Sequence, residues 1–300
     1  MKDIITVSTV TFNASWGEKE KNLDRIMGYI EAAAKKGSDI VIFPEMALTG
    51  YDNETDKPRP EKMQTLLAET IPGPSTSKVE ELIKKLGIYV VFGMPERDPE
   101  DVSKIYNALA VFSPSGLVGS YRKMHLPPPE PEWAVRGDKP FLLDTEWGPI
   151  GISICYDSYC FPEMMRYYAA KGARLYINCT ALAECHGPAV GSTTLEAQVI
   201  QNQIYIASSN LGGKDMYNVF WGGSSIMGPS RDFWEVHYYA GRKFTEPHAK
   251  ESEMFTATID LTLAGRDEFI YNPAVGGTDF RPDKYIEMYT DVLNDPIFGK

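Results

Sequence analysis

An α/β fold is the architecture this 300-residue sequence predicts, and three observations carry it. Short apolar runs suited to burial on both faces, such as residues 39–43 and 149–154, recur along the chain. They alternate with stretches whose apolar residues fall at helical spacing. Gly and Pro punctuate the joints between them.

The elements follow in order. Residues 4–12 alternate as a first strand, and residues 20–36 place Leu23, Ile26, Met27, Ile30, Ala33 and Ala34 on one helical face, with Gly37 as the stop. Residues 39–43 form a short buried strand that ends at Pro44-Glu45. Residues 76–86 read as a helix closed by Gly87, and 88–93 and 106–112 as strands, the latter turned by Ser113-Pro-Ser-Gly116. A strand at 118–122 leads into Lys123 and a proline-rich loop. The run 149–154 stops abruptly at Cys155, before a helix at 162–170 with Pro162 in its first turn and Gly172 as its cap. A strand at 174–178, a helix at 195–203 and strands at 204–208, 224–227 and 255–260 complete the set. No repeat or linker divides the chain. Residues 1–262 read as one domain, and 263–300, with Asn272-Pro, Gly276-Gly and Arg281-Pro, as an extended C-terminal arm.

A formal net charge of −11 argues against a nucleic-acid backbone or an anionic membrane as partner. No apolar run approaches the roughly 20 residues that span a bilayer, and the N-terminus lacks the apolar core of a signal peptide. The expectation is a soluble, cytoplasmic protein. The four cysteines, Cys155, Cys160, Cys179 and Cys185, fall in one region without a C-x-x-C knuckle. Reduced thiols are expected, rather than disulfides or a zinc site at Cys185-His186.

Three strand ends carry chemistry. Glu45 follows one strand, Lys123 another, and Cys155 a third, where open α/β sheets place ligands. Each alone reads as a solvated charge or a packing thiol. Together they supply a base, a cation and a nucleophile.

The segments Phe43-Pro-Glu45-Met-Ala-Leu-Thr-Gly-Tyr51, Tyr121-Arg-Lys123-Met-His-Leu126 and Gly151-Ile-Ser-Ile-Cys155-Tyr-Asp157 with Phe161-Pro-Glu163 resemble, in order, the three signature motifs of the nitrilase superfamily of carbon–nitrogen hydrolases. The resemblance runs from the first strand to about Asp260. It implies a four-layer αββα sandwich, subunits paired through the helices after Glu45 and Cys155, and the 263–300 arm in the subunit interface. It also implies a second site glutamate seven residues before Gly137-Asp138, which is Glu130, with Glu132 as its competitor.

The implied chemistry is hydrolysis of a small carboxamide through a thioester on Cys155, with no cofactor and no metal. Glu45 takes the thiol proton and later returns it to the departing amine. Lys123 and the Tyr156 N–H face the tetrahedral oxyanion, and Glu130 shares the buried lysine charge with Glu45. Tyr51, Tyr156, Tyr159, Thr180, Ala181 and Leu182 are expected around the substrate. His125 is read as a structural hydrogen-bonding residue, Cys160 and Cys179 as packing thiols. Tyr156 stands where nitrile-hydrolysing members carry tryptophan, and Ser158-Tyr159-Cys160 leaves no arginine clamp for an N-carbamoyl amino acid. Nitrile or N-carbamoyl hydrolysis are the alternatives within the enzyme class. A catalytically silent binding scaffold is the alternative outside it. A homodimer or larger homo-oligomer is expected.

Overall fold

A computed structural model describes residues 1–232 and 235–299. The strands are β1 (Ile4–Thr11), β2 (Ile40–Ile42), β3 (Tyr89–Arg97), β4 (Ile105–Ser113), β5 (Gly116–Arg122), β6 (Phe141–Thr145), β7 (Gly148–Ile154), β8 (Leu175–Thr180), β9 (Tyr205–Asn210), β10 (Ser225–Pro229), β11 (Val236–Gly241) and β12 (Glu253–Asp260). They make two six-stranded sheets, ordered β12-β1-β2-β3-β4-β5 and β11-β10-β9-β8-β7-β6. Each sheet has three parallel strands at its centre, β1-β2-β3 and β7-β8-β9, flanked by antiparallel ones. The helices are α1 (Lys19–Lys35), α2 (Met63–Leu67), α3 (Pro74–Leu86), α4 (Tyr156–Cys160), α5 (Pro162–Ala170), α6 (Ala189–Asn202) and α7 (Pro282–Asn294).

Strand alternation builds the layers. In the first sheet Ile5, Val7, Ile40, Ile42, Val91, Leu109 and Val111 face inward, where they join Ile150, Ile152, Ile154 and Ile177 of the second sheet in one core. The residues between them, Val10, Val41, Phe43, Val90, Phe92 and Phe112, pack outward against Leu23, Ile26 and Ile30 of α1 and Val79 and Ile83 of α3. On the other side Met165 and Tyr168 of α5 and Leu195 and Val199 of α6 cover the second sheet. Helix, sheet, sheet, helix is the four-layer sandwich.

Two short strands, β6 and β11, are not among those the sequence predicts, and antiparallel pairing with β7 and β10 defines them. Helix α6 begins at Ala189, six residues before the expected 195, because Gly187-Pro188 starts it early. Cys179 is buried in the core, whereas Cys160, expected to pack, closes the short α4 on its exposed side. The arm after Leu263 runs outside the sheets and carries α7, which returns to α5 where the Tyr289 hydroxyl donates to Glu163 Oε1 at 2.6 Å. Lys300, the last residue of the expected arm, lies outside the described residues.

The turn after β2 is gripped by its neighbour. The Gly93 N–H donates to Pro44 O at 3.0 Å, and the Leu48 N–H to Gly93 O at 3.1 Å. A Cβ on Gly93 would lie 2.3 Å from Met46 N and 2.5 Å from Pro44 O, so no other residue lets β3 approach the Glu45 turn this closely. Gly93→Ala is therefore expected to destabilise the protein by about 1–3 kcal/mol. Gly28→Ala, on an exposed position of α1 with nothing within 4 Å, is expected to stabilise by about 1 kcal/mol. Thermal midpoints of the two variants moving in the same direction would refute this account of the turn.

Candidate active site

Three strands deliver their ends to one place. Glu45 leaves β2 through Pro44, Lys123 follows β5 directly, and Cys155 stands between β7 and α4. Cys155 has φ +46° and ψ −99°, a conformation L-residues adopt only when surrounding bonds enforce it. Those bonds are in place. Its N–H donates to Cys179 O at 3.0 Å, and its C=O accepts from the Ser158 and Tyr159 N–H groups at 2.8 and 3.0 Å.

A charged network beside the thiol is closed to solvent. Glu45, Lys123 and Glu130 are each 0% exposed. The Lys123 ammonium donates to Glu45 Oε1 and to Glu130 Oε2, both at 2.7 Å. The Asn107 amide bridges the same carboxylates from another side, donating to Glu45 Oε1 at 2.6 Å and Glu130 Oε1 at 2.7 Å. The Tyr51 hydroxyl adds a 3.2 Å bond to Glu130 Oε2. The other oxygen of Glu45 accepts from the Ala181 N–H at 2.9 Å, at the end of β8. Glu130 is thus inside the network. Glu132 points out of it, 44% exposed, and pairs with the buried Lys62 at 2.9 Å.

The electrostatics follow from burial and neighbours. Burial alone would lower the Lys123 pKa, but Glu130 and Glu45 outweigh it and hold the ammonium well above its ordinary range. Burial pushes Glu130 up, Lys123 opposes and Glu45 adds to the rise, which reaches about 7. Burial also drives the Cys155 thiol far above its usual range, with Glu45 adding to the shift. Lys123, Thr180 and the Ala181 N–H oppose it. The sulfur therefore keeps its proton at neutral pH and needs a base at the moment of attack.

The expected pocket residues divide. Thr180 and Ala181 face the sulfur or Glu45, and the Tyr159 hydroxyl, accepting from Asn178 Nδ2 at 3.2 Å, lies near the same thiol. Tyr51 reaches Glu130 while packing edge-on to Phe220. Leu182 is buried beside Gly191 of α6 and Phe244, its N–H donating to Asn210 Oδ1. The Tyr156 ring turns edge-on to Phe161, while its N–H occupies the first turn of α4, where amides have no helical acceptor.

Asn107 and Asp157 escaped the sequence reading. Asn107 is a lone polar residue within the apolar strand β4, and that break in pattern is the signal that marks it. Asp157, fully buried in α4, accepts from the Tyr121 hydroxyl at 2.7 Å and the His125 N–H at 2.9 Å, and its Oδ1 lies 2.8 Å from His125 Nδ1. It ties the segment carrying Lys123 to the helix behind Cys155. His125, stacked on Phe161 at 3.6 Å, serves structure, as its position suggested. Among the described residues no three His, Cys, Asp or Glu side chains gather in a metal-binding cluster. A cavity of about 760 Å³ lies apart from these groups, between α5 and α7, lined by Arg166, Tyr167, Phe280, Tyr285, Tyr289 and Val292 among others.

Comparison with known proteins agrees with this geometry. Residues 6–266 match the family model described as carbon-nitrogen hydrolase. An omega-amidase NIT2 of Xenopus tropicalis is 33% identical over 255 residues, covering 81% of this chain and 84% of that protein. A nitrilase of Pyrococcus abyssi is 30% identical over 262 residues, covering 87% and 91%. Among solved structures, Saccharomyces cerevisiae Nit3, a member of branch 10 of the nitrilase superfamily, superposes with a TM-score of 0.75 at 26% identity, covering 88% of this chain and 93% of its own. A mutant amidase from Nesterenkonia sp. AN1, with the acetamide moiety of fluoroacetamide added covalently at its active-site cysteine, gives a TM-score of 0.72 at 23% identity, covering 88% and 93%. This chain belongs to the carbon–nitrogen hydrolase family.

Proposed function

We propose that this protein hydrolyses a small carboxamide to the carboxylate and ammonia through a thioester on Cys155. The observation that carries the reading is the solvent-free arrangement of Glu45, Lys123 and Glu130 beside a protonated thiol held at a strained turn. Glu45 takes the Cys155 proton as sulfur bonds to the amide carbon and the carbonyl electron pair moves to oxygen. Lys123 and the Tyr156 N–H face that oxyanion; one such donor is typically worth about 3 kcal/mol. As the pair returns, the carbon–nitrogen bond breaks and Glu45 hands its proton to the nitrogen, which leaves as ammonia. Water then gives a proton to Glu45 while its oxygen attacks the thioester carbon. The carbon–sulfur bond breaks, the sulfur recovers the proton, and the acid departs.

Glu130 keeps Lys123 charged without drawing on Glu45 alone. Tyr51, Tyr159, Thr180 and Ala181 bound the acyl group, and a Cys155 only 9% exposed favours a small one. With no arginine in Ser158-Tyr159-Cys160 to grip a carboxylate, a neutral amide fits best. The omega-amidase relatives support an amide, and the relative described as a nitrilase makes the nitrile the second reading. Among the described residues no helix is long and apolar enough to cross a membrane. The four cysteines are free, which supports a reducing, cytoplasmic setting. The assembly we propose is a homodimer with the 263–300 arm in its interface, supported by the apolar side chains that α7 and its end expose, Ile286, Leu293, Ile297 and Phe298.

Cys155→Ser is expected to fold with an unchanged melting curve and to lose roughly 10³-fold or more in kcat, while the wild type shows an acyl mass increment confined to the Cys155 peptide. Turnover surviving in the serine variant would end the proposal. Glu130→Gln is expected to keep the fold and lower kcat by about 10²-fold. Wild-type kinetics in that variant would exclude Glu130 from the site. Ammonia release measured on matched amides, N-carbamoyl compounds and nitriles is expected to be fastest with the amides, and a nitrile preference would replace the first reading by the second.

A further inference from the structure

We propose that Asn107 is a positioning residue that separates the two carboxylates and keeps the proton taken from Cys155 on Glu45, out of reach of Glu130. The amide nitrogen carries two hydrogens, and both are used. One meets Glu45 Oε1 at 2.6 Å and the other Glu130 Oε1 at 2.7 Å. The oxygens that face each other across the network are therefore each occupied by an N–H donor.

The orientation of the amide admits no alternative. Turned over, its carbonyl would face two carboxylate oxygens, and nothing on the far side offers a donor, since Asn107 Oδ1 is buried without a partner. A buried carbonyl left unpaired is a cost; the residue retains it to place two donors between two anions. The backbone holds this placement. Asn107 lies in β4 opposite Pro95 of β3, and its own C=O accepts from the Lys123 N–H at 2.8 Å, so one residue fixes the lysine's chain and both of its counter-charges.

The remaining oxygens complete the account. Glu130 Oε2 faces two donors, Lys123 Nζ and the Tyr51 hydroxyl. No Glu130 oxygen lacks a donor, an arrangement that fits the ionised form and works against the rise that burial and Glu45 impose. Glu45 Oε1 is likewise met by Lys123 and Asn107, leaving Oε2, bonded to the Ala181 N–H that also faces the Cys155 thiol, as the oxygen to receive a proton. A proton received there stays where the leaving nitrogen needs it. The titratable groups that face this cluster are Glu45, Glu130, Lys123, Tyr51, Cys155, Tyr159 and Cys179.

The inference rests on the amide-hydrolase reading for its kinetic arm only, because alkylation of Cys155 by iodoacetamide reads the same proton transfer without substrate. Asn107→Leu, of similar size and uncharged, removes both donors, and Asn107→Ser, smaller, leaves at most one. Each is expected to lower kcat about tenfold or more with KM changed less than about threefold, and to move the acid limbs of both kcat/KM and the alkylation rate upward by about one pH unit, since the ionised carboxylates lose a donor. A role confined to folding would lower the thermal midpoint and leave both limbs in place, and unmoved limbs in either folded variant overturn the inference. Limbs that shift in alkylation while the wild type turns over no amide would sustain the role of Asn107 and refute the proposed reaction. Amide turnover in the wild type with unmoved variant limbs would do the reverse.

Discussion

One ammonium held between two carboxylates, with no water to share the charge, is the constraint around which the rest of the molecule is arranged. A single ion of this kind taken from water costs several kcal/mol even after relaxation. Lys123 is tolerable at 0% exposure because Glu45 and Glu130 both stand at 2.7 Å. Neither carboxylate is left with an idle oxygen, since Asn107, Tyr51 and the Ala181 N–H take the positions the lysine does not. The network is either complete or strongly unfavourable, and it forces β2, β4, β5, β8 and the proline-rich loop into one relative position.

The sandwich makes that position possible. Each sheet has a parallel centre whose strands end on the same side, and two such sheets packed face to face bring both sets of ends together. Glu45 and Lys123 come from one sheet and Cys155 from the other. Asp157 then couples the two at the site itself, with Tyr121 and His125 from the Lys123 segment bonded to the helix that follows the nucleophile. A thiol kept protonated by burial and a carboxylate kept available by its neighbours are the two halves of one proton transfer, and neither is useful if the sheets slide.

Burial also sets the reacting groups apart from the outer helical layer. An apolar groove lies on the outer layer, between α5 and α7, while the reacting groups occupy a space closed by Tyr51, Tyr159 and Thr180. Perturbed ionisation, rather than volume, marks the place where reaction chemistry is concentrated.

The strands that bury both faces and the helices with one apolar stripe were legible in the residues, because their patterns report local burial directly. Glu45, Lys123 and Cys155 were legible too, each a reactive side chain at the end of a strand, in segments shared with a known family. β6 and β11 were not, since each is a short, only partly buried edge strand defined by its hydrogen-bonded partner. The choice of Glu130 over Glu132, two residues apart in a proline-rich loop, needed the loop's path, which turns one carboxylate to Lys123 and the other to Lys62. Asn107 and Asp157 needed more. Their significance lies in which donors and acceptors arrive beside them from residues far away in the chain, and long-range pairing of buried polar groups is decided only when the sheets close.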